Sequence, residues 1–197
     1  MFELDPVAPD SLRRFVLRWY GLPDRSSSEN EVPAGMPAAL VEWHDLQARR
    51  SVPLCRDHEM VYDVGPDMVT FWRSETDAYG FQPATEEVFE WSDQGWTGTG
   101  HPLGRFLVYV AVFEAVYAPV HGLVALEPAP ELKSMLPLED PIWQWPDPVC
   151  RFYADDDLLA HAGPDRLVVA AQHRDALGRF DPYGLTWLWD SRVDVDQ

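Results

Sequence analysis

The segment Leu103–Tyr117 constrains the fold more than any other part of the chain. Its residues are apolar nearly all round: Phe106, Leu107, Val108, Tyr109, Val110, Ala111, Val112, Phe113, Ala115 and Val116. Because a helix that is apolar on every side must be covered by other elements, we expect this segment to be a central core helix. Arg105 and Glu114 confine the uncharged run to residues 106–113, well short of the roughly 20 residues that cross a bilayer. Glu114 is then either a carboxylate with a perturbed pKa, or an ordinary residue that points to the helix edge or pairs with an arginine.

The charge balance narrows the classes of partner. The chain has 33 Asp and Glu against 15 Lys and Arg, a formal net charge of −18, together with 9 Phe, 7 Tyr and 9 Trp. So many aromatic residues exclude a disordered acidic tail. Lys133 is the only lysine, and the arginines are scattered, which argues against nucleic acid and anionic membranes as ligands. The acidity either attracts a cationic partner or keeps a tryptophan-rich surface soluble.

Residue periodicity predicts an α+β fold, with a twisted antiparallel sheet packed against the long apolar helix and shorter helices. Besides Leu103–Tyr117, helical spacing marks residues 10–20, 37–49 and 173–180. Strand patterns cover residues 60–64, 68–72, 78–82, 88–91, 149–154, 158–161, 166–172 and 185–189. The glycine-rich residues 94–100 and the proline-rich residues 127–148 are predicted to be loops. We expect one domain over residues 1–197, with a core at 36–118 and a strand-rich C-terminal extension at 148–190.

No catalytic, metal-binding or cofactor-binding motif is recognisable. The six histidines form no His-Glu-x-x-His pair, and Cys55 and Cys150 are too few for a disulfide framework and lie in no signature such as Cys-x-x-Cys. The acidic run Asp155, Asp156 and Asp157 is predicted to be a hairpin turn. The alternative is a small hydrolase or metal-dependent enzyme that uses this run with His161 or His173.

Tryptophan beside acidic residues is typical of a protein-binding surface. Trp143 with Trp145, and Trp187 with Trp189, would each place both rings on one face if the chain is extended there. A basic protein is the partner that the charge favours. The predicted contact residues are Trp72, Glu75, Asp77, Glu90, Trp91, Trp96, Asp155, Asp156 and Asp157.

The order of elements resembles the SMI1/KNR4 (SUKH) superfamily over residues 36–118. The likeness lies in four stretches: Met36-Pro37 opening a helix, the aromatic strands at 69–81, Val88-Phe89-Glu90-Trp91, and the helix entered by Leu103-Gly104-Arg105. Residues 151–177 resemble an extension of actinobacterial relatives. This resemblance implies an immunity protein that binds and neutralises a toxin domain, with no catalytic residues. We therefore expect a noncatalytic protein-binding module without a cofactor, and, since no signal peptide opens the chain, a cytoplasmic one.

Overall fold

The protein is a mixed α/β structure with two antiparallel sheets. The computed structural model describes residues 4, 8, 10–24, 32–56, 58–139, 141–146 and 148–193. Backbone contacts divide the chain into two compact units, one within residues 5–111 and one within residues 112–197. The boundary falls inside the 15-residue helix Leu103–Tyr117, which is helix α3. No helix in the described parts of the chain is long and apolar enough to span a membrane.

Two helices open the first unit, where the sequence predicts them. Helix α1 is Ser11–Tyr20 and helix α2 is Ala38–Ala48. Arg13 Nε donates to Glu42 Oε1 at 2.8 Å and so links the two helices. Arg50 donates to the carbonyl oxygens of Tyr20 (3.1 Å) and Gly21 (2.6 Å), which accept no helical hydrogen bond at the end of α1.

A five-stranded antiparallel meander follows, in the order β1-β2-β3-β4-β5. Its strands are β1 Glu59–Val64, β2 Val69–Arg73, β3 Ala78–Phe81, β4 Glu87–Ser92 and β5 Gly95–Pro102. The first four confirm the predicted strands. The predicted loop at residues 94–100 is wrong, because these residues form most of β5, with Trp96 paired to Trp91 of β4. The backbone hydrogen bonds between β5 and β4 outweigh the low strand propensity of the three glycines in this segment.

Aromatic rings fill the interior of this unit. Trp72 is 1% exposed, and its ring centroid lies 5.0 Å from that of Trp43 and 6.0 Å from that of Phe106 in the first half of α3. Phe71 and Phe81 are buried beside them. The first half of α3 therefore covers one face of the five-stranded sheet, here called the inner face.

The second unit contains a six-stranded antiparallel sheet in the order β11-β6-β10-β9-β8-β7. The strands are β6 His121–Ala125, β7 Leu136–Pro137, β8 Arg151–Ala154, β9 Leu158–Ala162, β10 Leu167–Ala171 and β11 Trp189–Asp190. The sequence pattern missed β6 and predicted one sheet where two are present. The predicted helix at 173–180 is a 3-10 helix, Arg174–Tyr183. A second 3-10 helix, Pro141–Gln144, contains Trp143, so the chain is not extended there and the condition for placing Trp143 and Trp145 on one face is not met.

Candidate functional site

A groove of about 710 Å³ opens in the first unit, beside the end of α2, the loop before β1 and the turn between β2 and β3. Clefts of this volume suit small-molecule ligands, whose usual sites measure about 300 to 1,000 Å³. The walls carry both charge signs and two histidines. The lining residues are His44, Gln47, Ala48, Pro53, Cys55, Arg56, His58, Glu59, Met60, Arg73, Ser74 and Glu75.

Three side chains at this groove form a continuous chain of polar contacts. The Sγ atom of Cys55 lies 3.7 Å from Nδ1 of His58, within the longer reach of a sulfur hydrogen bond. On the other side of the ring, Nε2 of His58 lies 3.0 Å from Oδ1 of Asp77. A thiol, an imidazole and a carboxylate thus stand in line, with the imidazole in the middle.

The carboxylate determines which nitrogen of His58 carries the proton. An ionised carboxylate can only accept hydrogen bonds, so Nε2 of His58 donates to Asp77. In the neutral ring the remaining nitrogen, Nδ1, then has a free lone pair, and that lone pair faces the thiol of Cys55. The imidazole is therefore in the tautomer that accepts a proton from sulfur.

Asp77 is held in place by the turn that joins β2 and β3. The backbone N–H of Ser74 donates to the carbonyl oxygen of Asp77 at 2.9 Å, which closes the turn. The hydroxyl of Ser74 also donates to Asp77 Oδ1, and it accepts from the N–H groups of Thr76 (3.2 Å) and Asp77 (3.1 Å). Side-chain hydrogen bonds of this kind are the usual reason for Ser and Asp in tight turns.

The ring of His58 rests on the aromatic interior. Its centroid lies 5.3 Å from that of Tyr79, edge-on, and 6.3 Å from that of Trp72. Burial raises the pKa of the Tyr79 hydroxyl, which donates to Glu90 Oε1 at 3.1 Å. Packing on one side and Asp77 on the other leave the imidazole little rotational freedom.

An aromatic patch lies on the opposite, outer face of the five-stranded sheet. Cross-strand neighbours point to the same face, so the pairs Trp91–Trp96 and Phe89–Gly98 share it. Trp91 is 44% exposed and Trp96 is 37% exposed, and their rings meet edge-to-face with centroids 5.5 Å apart. We use the name aromatic patch for Met68, Phe89, Trp91 and Trp96.

Glycines in neighbouring strands make room for this patch. Gly80 of β3 and Gly98 of β5 flank Phe89 of β4 on its two sides. A Cβ atom at Gly80 would lie 2.9 Å from Cγ of Met68 and 3.1 Å from Cη2 of Trp96, closer than such atoms normally approach. The bare backbone of Gly80 thus lets Met68 and the Trp96 indole lie against the sheet.

The predicted contact residues of the first unit divide into three groups. Trp72 was predicted to contact a partner, and this is wrong because its side chain is buried in the core. Glu75 lines the groove, and Asp77 is bonded to His58. Only Trp91 and Trp96 combine exposure with mutual contact, and Glu90 is half-buried in the same strand as Trp91.

The acidic run belongs to the second unit, where Asp155, Asp156 and Asp157 form the predicted turn between β8 and β9. Arg179 donates to carboxylate oxygens of Asp155 and, at 3.1 Å, of Asp157. This guanidinium lowers the pKa of Asp155. Two of the three carboxylates therefore already have a cationic partner within the chain.

The histidines of the hydrolase alternative do not gather with these carboxylates into a metal site. His161 is buried in β9, where Nδ1 lies 2.6 Å from the hydroxyl of Tyr117 and the ring packs on Phe152. His173 is exposed before the 3-10 helix. Over the described ranges, no group of three or more His, Cys, Asp or Glu side chains is arranged to hold a metal ion.

Sequence motifs alone did not reveal the Cys55 and His58 pair. The two residues are three positions apart in an irregular loop, and their third partner comes 19 residues after His58. No nucleophile signature has this spacing. The available signal was weaker: a cysteine and a histidine three positions apart, followed 19 residues later by the Asp of a Ser-Glu-Thr-Asp turn.

Comparison with known proteins gives no relative: no family model, no curated protein and no solved structure matches this chain. Membership of the SMI1/KNR4 superfamily stays a prediction. Function is therefore inferred from the aromatic patch and the groove themselves.

Proposed function

We propose that the chain is a protein-binding module that engages a basic protein through the aromatic patch. The observation that carries this proposal is the exposed, mutually packed pair Trp91 and Trp96 at the edge of the five-stranded sheet. Tryptophan is the residue most enriched among binding hot spots, because a large rigid ring buries much apolar area at little entropic cost. A pair fixed by mutual packing is already in position to bind.

Charge favours a basic partner over others. The patch is bordered by Glu87, whose Oε1 would be 3.3 Å from a Cβ atom at Gly98. Glu90 lies on the inner face, where it accepts from the Tyr79 hydroxyl. The whole chain has a net charge of −18. A carboxylate beside an apolar centre matches the polar rim of an ordinary interface, and the net negative charge of the chain accelerates docking of a cationic protein.

The resemblance to SMI1/KNR4 proteins gives this proposal its specific form. In that form the basic partner is a toxin domain, and binding alone neutralises it. The proposal does not depend on the family, since the patch and the charge would serve any basic protein of matching shape.

The experiment compares the wild type with the double variant Trp91→Ala/Trp96→Ala. Proteins captured from the native host are identified, and the affinity of the purified partner is measured by calorimetry at several salt concentrations. We expect the double variant to weaken binding by at least 30-fold, about 2 kcal/mol or more, as for hot-spot residues. The wild-type affinity should fall as salt rises.

The matched control is Val64→Ala, which removes an exposed apolar side chain from β1, at the other edge of the same sheet. It should leave the affinity unchanged. Equal affinities of the wild type and the double variant would refute the patch as the contact surface. An affinity independent of salt would refute the electrostatic part.

A further inference from the structure

The groove contains chemistry that protein binding does not use. We propose that Cys55, His58 and Asp77 form a nucleophilic thiol site that takes the acyl group of a small carboxylic ester. This site is separate from the aromatic patch, because neither Trp91 nor Trp96 lines the groove. The two proposals can therefore fail independently.

The arrangement meets the geometric requirement for an activated nucleophile. Such a site needs the nucleophile within hydrogen-bond reach of a base, and the base oriented by a third group. Here the Cys55 Sγ–His58 Nδ1 distance is 3.7 Å, and the His58 Nε2–Asp77 Oδ1 distance is 3.0 Å. Contacts of this kind are often loose without a substrate and shorten when one binds.

The surroundings separate this cysteine from an ordinary buried thiol. Cys55 is 3% exposed and is one of the residues that line the groove, so the groove is the side from which a reagent would approach its sulfur. The loop before β1 places it there, three residues from its base. Cys150, the other cysteine, is also buried; it belongs to the second unit and is not among the residues that line this groove.

The reaction balances without a metal, an oxidant or a reductant. Nδ1 of His58 takes the thiol proton, and the sulfur of Cys55 forms a bond to the carbonyl carbon of the ester. The bond from that carbon to the alcohol oxygen then breaks, and His58 returns the proton to the departing alcohol. Water, losing a proton to His58, next attacks the thioester carbon, and the acid leaves as sulfur takes that proton back. The sum is an ester and water giving an acid and an alcohol.

Asp77 is a positioning residue in this scheme, since it touches neither sulfur nor ester. Its carboxylate keeps the proton on Nε2 of His58 and stabilises the imidazolium that forms when the thiol ionises. The hydrogen bonds of Ser74 within the β2–β3 turn hold the Asp77 carboxylate in position.

The first test measures alkylation of Cys55 by iodoacetamide in the intact protein, in a Cys150→Ser background that leaves one thiol. At pH 7 an ordinary thiol is only a few per cent ionised, so activation by His58 should make Cys55 react about tenfold faster than in His58→Gln. At about pH 10 the two rates should converge, because an unassisted thiol is then ionised as well. A variant that had merely lost its structure would differ at both pH values.

The second test uses p-nitrophenyl acetate as the ester. We expect a burst of nitrophenol, one acetyl group on Cys55 by mass spectrometry, and slow turnover afterwards. Cys55→Ser should abolish the labelled adduct. Asp77→Asn should slow the burst several-fold and shift its pH profile, because it disturbs the tautomer of His58 without touching sulfur.

The proposal is overturned if Cys55 is alkylated at the same rate with and without His58 at pH 7, whatever the esterase result. It is equally overturned if the burst persists in Cys55→Ser. Should His58→Gln fail to fold, judged by near-ultraviolet circular dichroism, Asp77→Asn supplies the same comparison. If Trp91→Ala/Trp96→Ala binds the partner as tightly as the wild type while the thiol reactivity of Cys55 is as expected, only the binding proposal is refuted and this site stands.

Discussion

Truncation of Trp72 tests whether its side chain belongs to the core or to a contact surface. Trp72 is 1% exposed, and it packs against Trp43, Phe71 and Phe106. Removing a buried aromatic side chain and leaving a cavity costs about 3–5 kcal/mol. Trp91→Ala is the matched comparison, because Trp91 is 44% exposed and loses mainly one cross-strand aromatic pair, worth about 1 kcal/mol. We expect Trp72→Ala to be the more destabilising change by about 2–4 kcal/mol.

Equilibrium unfolding in urea, followed by near-ultraviolet circular dichroism, measures this difference. With a urea dependence of about 2 kcal/mol per M, the midpoint of Trp72→Ala should lie about 1–2 M below that of Trp91→Ala. Trp72→Phe is the intermediate control. Within the described residues the buried Nε1 of Trp72 has no hydrogen-bond partner, so phenylalanine loses volume but no hydrogen bond. Equal midpoints for the two alanine variants would refute the assignment of Trp72 to the core.

Three further predictions concern charged and titrating groups. Arg50→Ala should lower the free energy of unfolding by about 2–3 kcal/mol, because the Arg50 guanidinium donates to two carbonyl oxygens at the end of α1. Urea unfolding measures this loss. Arg50→Lys should restore only part of the lost stability. Burial raises the pKa of Tyr62 to about 12. Between about pH 10 and pH 12 the unfolded chain therefore loses this proton while the folded chain keeps it, and stability should fall as pH rises, by up to about 1.4 kcal/mol per pH unit. Tyr62→Phe should make this slope shallower by up to that amount without abolishing it, because burial raises the pKa of Tyr79 as well. A slope unchanged in Tyr62→Phe would assign it to other groups. Arg179→Ala should cost less than about 1 kcal/mol, since the pair with Asp155 is solvent-accessible. The lowered pKa of Asp155 contributes stability above about pH 4, and this stability is lost on acidification. Because the guanidinium of Arg179 lowers this pKa, an NMR titration of Arg179→Ala should show the Asp155 pKa returning toward its usual value.

The sequence pattern predicted those helices and strands that are marked within their own residues, by the spacing of apolar side chains and by bounding turn residues. Helices α1 and α2 have apolar residues at helical spacing beside Gly21 or Pro37, and the strands β1 to β4 are bounded by turn residues. Strand β5 was missed because its stability comes from pairing with β4, which glycine content does not reveal. Strand β6 is five residues long and begins only four positions after the last residue of α3, so no separate hydrophobic period marked it.

The candidate site was less predictable for the same reason. Trp91 and Trp96 were recognised by residue type, but burial excluded Trp72, and burial depends on which face of the sheet α3 covers. Cys55 and His58 become a candidate site only in the folded chain, where the β2–β3 turn places Asp77 beside the imidazole. A contact between residues that are distant in sequence leaves no short sequence motif by which it could be recognised.

Strand β3, only four residues long, supports both candidate sites, and this gives a prediction that separates them. Tyr79 points to the inner face and packs on His58, whereas Gly80, the next residue, points to the outer face beneath Trp96. Gly80→Ala would place a Cβ atom 2.9 Å from Met68 and 3.1 Å from Trp96, so the flexible methionine must move and the indole must tilt. We expect the exciton-coupled circular dichroism of the Trp91–Trp96 pair to weaken and partner affinity to fall. The alkylation rate of Cys55 should stay unchanged, because Gly80 contributes nothing to the inner face of the strand. Loss of thiol reactivity in Gly80→Ala would mean that the two faces of β3 do not act independently.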